Sequence, residues 1–164
     1  MQFETQAQKF YFDGLLRLLT AEYPNAAAEG RLLIDGVDAT VRLVVSKPET
    51  GRANPTAVVF TVDAMGDEGA DIIIDIPLIY DAKPTKSALL YMLEWNFLHW
   101  SFGKFTLFEE DEDDTSQIAI RYRVPAQIST QKLLRETIWI GATHMVDLLS
   151  TLIPLTGGDA IIDL

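Results

Sequence analysis

The chain has 164 residues, 48% of them apolar, enough for one domain that buries roughly two-thirds of the surface its unfolded form exposes. It contains no cysteine, which excludes disulfide frameworks, thiolate metal sites and cysteine nucleophiles. Asp and Glu number 24 against 13 Lys and Arg, and the formal charge of -11 repels phosphate backbones, so nucleic acid is not an expected partner.

Residues 1–9 are polar and lack the basic-then-apolar layout of a secretory signal, and no apolar run reaches the roughly 20 residues of a spanning helix. The expectation is a cytoplasmic protein without a membrane partner. Over residues 5–23, Ala7, Phe10, Tyr11, Leu15, Leu18 and Leu19 recur mostly three or four apart among Gln6, Lys9, Asp13 and Arg17. This spacing predicts an amphipathic helix that stops at Tyr23-Pro24, because proline disfavours helical geometry in the residue before it.

Residues 32–35 and 39–46 flank Gly36-Val37-Asp38, with Val41, Leu43 and Val45 on one parity, which predicts a hairpin. A loop with two prolines and a glycine, 47–55, precedes a strand at 57–64 that places Val58, Phe60 and Val62 on one face. Gly66-Asp67-Glu68-Gly69 then turns into 71–79, where Ile72, Ile74, Ile76 and Leu78 alternate with Ile73, Asp75 and Pro77. Pro77 has no amide proton, so that strand is predicted to end or lie at an edge there.

At 85–100 the period changes: Leu89, Met92, Leu93, Asn96, Phe97 and Trp100 form one helical stripe, widened by Leu90, Tyr91 and Leu98. A helix apolar over so much of its circumference must be covered on more than one side. Strands at 105–110 and 117–124 surround an acidic tip. Ser129 is the expected cap of a last helix, with Ile128 and Leu133 as a hydrophobic staple, running to about Leu152 before Pro154 and Gly157-Gly158. Leu134, Ile138, Gly141, Met145, Leu148 and Leu152 form one stripe of that helix. Trp139, Ala142, Val146, Leu149 and Ile153 form a second, which is the predicted partner-binding surface. The element order is α-β-β-β(-β)-α-β-β-α. Such segregation predicts an α+β fold with an antiparallel sheet and helices packed on it, one domain over residues 1–164.

The most conspicuous candidate for chemistry is Glu109-Glu110-Asp111-Glu112-Asp113-Asp114. An EF-hand loop counted from Asp111 needs glycine sixth and glutamate twelfth, where this chain has Ser116 and Tyr122, so the run reads as a solvated tip or a contact for a basic partner. His99 and His144 sit on different predicted helices without a second ligand at metal-binding spacing, and read as polar surface or helix ends. Trp95, Trp100 and Trp139 read first as core, with Trp139 the preferred interface residue. There is no phosphate loop and no Gly-x-Ser-x-Gly elbow. No catalytic residue, cofactor or metal is expected.

Leu93-Glu94-Trp95-Asn96-Phe97, then Phe102-Gly103-Lys104-Phe105, the strand, acidic tip and strand, and Val124-Pro125-Ala126 before a long last helix resemble the YbjN family. YbjN-like proteins share a fold with class I type III secretion chaperones, which this chain resembles in being small, acidic and ordered helix, strands, helix, strands, helix. The resemblance is clearest over residues 89–152. It implies a twisted antiparallel sheet, homodimers and a function in binding proteins, with no catalytic set to carry over. The strand-rich first half and the Pro/Gly loop at 47–55 depart from the secretion chaperones, and with them effector binding.

The expected function is therefore a non-enzymatic, chaperone-like or adaptor-like protein-binding module that forms a homodimer, its protein partner unidentified. Two alternatives stand beside it. One is a ligand-binding or enzymatic domain with a pocket lined by Trp95, Trp100 or Tyr122; the other is a regulator acting on stress or signalling responses through protein contacts.

Overall fold

The computed structural model describes residues 2–35, 38–51, 55–98, 103–109 and 115–161. Helix α1, Gln6–Glu22, opens where the Thr5 hydroxyl accepts the Gln8 N–H, and buries Phe12, Leu15 and Leu19. Tyr23 closes it, and Pro24 then starts a second helix, α2, Pro24–Ala28. Proline suits that first position because its missing N–H would be unpaired there anyway. Five residues are too few to show a periodicity, so α2 has no signature in the sequence.

Strands β1 (Leu32–Ile34), β2 (Thr40–Val45), β3 (Thr56–Met65) and β4 (Gly69–Ala82) lead into helix α3 (Lys86–Leu98). Strands β5 (Lys104–Glu109) and β6 (Ser116–Pro125), a 3-10 turn at Ala126–Ile128, helix α4 (Gln131–Thr156) and a two-residue strand β7 (Asp159–Ala160) complete the chain. The expected α+β class is what the structure has: an antiparallel sheet in the order β1-β2-β3-β4-β6-β5, with β7 on β4.

Strand alternation sorts the sheet into two faces. Val41, Leu43 and Val45, then Val58, Phe60 and Val62, then Ile72, Ile74 and Ile76, and Ile120 opposite Ile76 are all buried and lie on the face covered by the helices. The other face carries an ion-pair ladder. Asp75 takes a bidentate pair from its cross-strand neighbour Arg121 at 2.8 and 2.9 Å, and Arg123 joins Asp71 at 2.7 Å and Asp63 at 2.6 Å. Charge rows of this kind suit a sheet face that no helix covers.

Three boundaries differ from the sequence reading. Strand β4 does not end at Pro77 and is not at an edge; it runs to Ala82 beside β6, with register shifts after Pro77 and Ile79. The last β3 partner is Asp75, and β7 takes that side of β4 at Ile79 and Tyr80, so Pro77 falls in the gap where no β3 or β7 partner is paired with it. The cap of α4 is Thr130, not Ser129: its hydroxyl accepts the Leu133 N–H at 3.2 Å, which moves the staple out of register and leaves Ile128 exposed. Finally, α4 carries Pro154 inside its last turns and ends at Gly157, whose left-handed backbone (φ 67°) lets its N–H reach Ile153 O at 2.9 Å.

Helix α4 is long and apolar enough to cross a membrane by length and composition. In this fold Leu134, Ile138, Met145, Leu148 and Leu152 are instead buried in the core. At Gly141 the helix lies so close to β4 that a side chain there would strike Ile76.

Candidate protein-binding surface

Helix α3 begins at Thr85, whose hydroxyl accepts the Ala88 N–H at 3.2 Å, and turns Ala88 and Met92 into the protein. Tyr91 and Trp95 are half-buried against Phe105 of β5, the Trp95 and Phe105 ring centres lying 4.9 Å apart, edge to face. The rest of the apolar circumference has no cover among the described residues. Phe97 is 82% exposed, Leu93 67% and Leu98 60%, with Leu89 and Leu90 beside them. Half-exposed Leu107 of β5 continues the patch, and between helix and strand runs a groove of about 220 Å³ lined by Leu89, Met92, Leu93, Asn96, Phe105 and Leu107. Five large apolar side chains on one thirteen-residue helix are far more than the scattered exposed leucine of an ordinary surface.

Strand β5 lies at the sheet margin, paired only with β6 among the described strands. Asn96 reaches over that margin from α3: its Oδ1 accepts the Phe105 N–H at 2.6 Å and its Nδ2 donates to the Phe105 carbonyl at 3.3 Å. The main-chain groups of Phe105 thus face away from β6, and by the two-residue alternation of an antiparallel ladder those of Leu107 do as well. Lys104 closes the same corner by donating from Nζ to the Asn96 carbonyl.

The predicted surface on α4 divides in two. Ala142 and Leu149 are sealed in the core, because the helix sits deep enough between the sheet and its neighbouring helices for both stripes to meet protein. Ile153 is half-buried against that core, while Trp139 (46%) and Val146 (39%) are exposed. Trp139 walls a groove of about 340 Å³ with Tyr23, Glu49, Gly51 and Arg135. Burial pushes the Tyr23 phenol up to about 12, and hydrogen bonds from Arg31 hold the Glu49 carboxyl down at about 2.

Of the residues expected to line one pocket, Trp95 faces a groove between α3 and α4, whereas Tyr122, pushed up to about 12 by burial, lines a separate one with Gly103, Lys104 and Arg121. The structure does not bring them together. His144 is exposed on α4. Trp100, His99, Phe102 and residues 110–114 of the acidic tip lie outside the described residues. The exposed leucines and Phe97 of α3 were not singled out as a site from sequence, although the all-round apolar character of 85–100 was the signal for them. Compared with family models, curated proteins and solved structures, the chain matches none.

Proposed function

We propose that this chain is a non-enzymatic protein-binding module, chaperone-like or adaptor-like, that works as a homodimer through the α3 face and the adjoining margin of β5. The observation that carries the reading is the run Leu89, Leu90, Leu93, Phe97 and Leu98, without cover among the described residues, on a helix whose opposite side is packed on the sheet. Burying such side chains contributes roughly 1.5–3 kcal/mol each, so leaving them in water is costly unless an association covers them. Membership of the YbjN family, with its secretion-chaperone-like fold, and a cytoplasmic location belong to the same proposal. So does a regulatory role exerted through protein contacts, which needs only this surface.

The test is mass in solution. Light scattering on a size-exclusion column is expected to give a particle of twice 18.3 kDa. Leu93→Glu combined with Phe97→Glu is expected to return a folded monomer, because a carboxylate cannot enter a dry contact unpaired. A wild-type chain that stays monomeric at high micromolar concentration, with α3 unprotected from solvent, removes the reading.

A further inference from the structure

The flank of α3 that faces α4 has a different chemistry from its exposed ridge. Here a groove of about 410 Å³ has apolar walls from Tyr91, Trp95, Leu98 and Leu148, and at its rim stand Glu94 from α3 and Asp147 from α4. Among the described residues neither carboxylate has an ion-pair partner or a side-chain donor, whereas Asp63, Asp71, Asp75, Glu29 and Glu49 are each held by an arginine. Two carboxylates over an apolar, partly aromatic trough complement one side chain in particular. Arginine has a long apolar stem for such walls, a planar cation that stacks on rings, and a fork of donors that matches carboxylates.

Resting on the binding-module reading above, we propose that the α3–α4 groove takes an arginine side chain from a protein partner, so that the partner segments this module accepts are basic as well as apolar. The apolar walls of the groove take the stem and its neighbours, and the rim carboxylates select among candidate segments by charge, on a flank of α3 other than the Leu93 and Phe97 ridge. The overall charge of -11 draws such segments in and discourages acidic ones. His144 also lines the groove.

The probe is a short synthetic peptide of serine and leucine with one central arginine, compared with the same peptide carrying citrulline, which keeps the shape and loses the charge. Binding is followed by amide and indole NMR shifts. The arginine peptide is expected to bind about tenfold or more tightly, in line with one charge-assisted pair, and to shift Glu94, Asp147 and the Trp95 indole. Glu94→Gln with Asp147→Asn should erase that preference while leaving the fold intact, and Asp67→Asn with Glu68→Gln, in the distant β3–β4 turn, should preserve it. Equal affinity for both peptides, or shifts confined to other surfaces, overturns the inference. If the chain still dimerises in that case, the module reading survives; a monomer that binds neither peptide sinks both.

Discussion

The Glu49 carboxylate accepts hydrogen bonds from Arg31 at 2.9 and 3.1 Å and from the Ser46 N–H and hydroxyl at 2.8 Å each. Arg31 is the largest cause of its depressed pKa, about 2 against an ordinary 4.5. A carboxylate with a folded value below its unfolded one stabilises fully above the unfolded value, and that contribution is lost as pH falls through the folded one. Glu49→Gln is expected to cost about 1–2 kcal/mol at neutral pH, less than the whole shift would convert to, because Arg31 and Glu49 keep some solvent contact. In urea titrations the gap from wild type should close as pH drops from 4.5 toward 2; a gap of constant size across that window would refute the assignment. At Gly141 the argument is steric. A Cβ there would stand 2.0 Å from Ile76 Cδ1, so Gly141→Ala is expected to lose about 1–2 kcal/mol to overpacking despite its better helix propensity. In an Ile76→Val background, which removes that methyl, the same change should be neutral or stabilising. Additive costs in the double variant would mean that α4 does not press on β4 at this point.

Among the elements, the cap of α4 is the sharpest check on the boundaries. Thr130→Ala is expected to lower stability by about 1 kcal/mol and Ser129→Ala by clearly less, read from thermal or urea midpoints. The reverse order would restore the cap read from sequence. Much of the fold was legible because its strands alternate cleanly: Val41, Leu43 and Val45, and likewise Ile72, Ile74 and Ile76, turn to one side as their parity says. What was not legible depends on contacts remote in sequence. Pro77 looked like a terminus because local chemistry cannot show that β3 has already departed from β4 at Asp75. Strand β7 has two residues and forms only because β4 offers an unfilled side at Ile79 and Tyr80. The surface was half legible. Excess apolar area on α3 and α4 could be counted from the sequence, but which helix keeps it in water depends on depth of packing, and that favoured Ala142 and Leu149 for the core while leaving Phe97 outside.

For the whole molecule, one layer of helices covers one face of the sheet, and the other face is left to Asp63, Asp71, Asp75, Arg121 and Arg123. Protection against hydrogen exchange should therefore grade from the centre outward, with β3, β4 and β6 slowest and β1 and β7 fastest. If two copies meet as proposed, α3 and β5 should gain protection as concentration rises, while β1 stays unchanged; exchange independent of concentration throughout would speak for a solitary chain. The clasp of Asn96 on Phe105 has a consequence for how such a meeting would work. A single side-chain amide occupies the strand's outer rim at Phe105 by standing in for a neighbouring backbone, so the lateral position of α3 decides whether that rung is filled. A partner that moved the helix aside would uncover the amide and carbonyl of Phe105 next to those of Leu107, two rungs in line on which a further strand could pair.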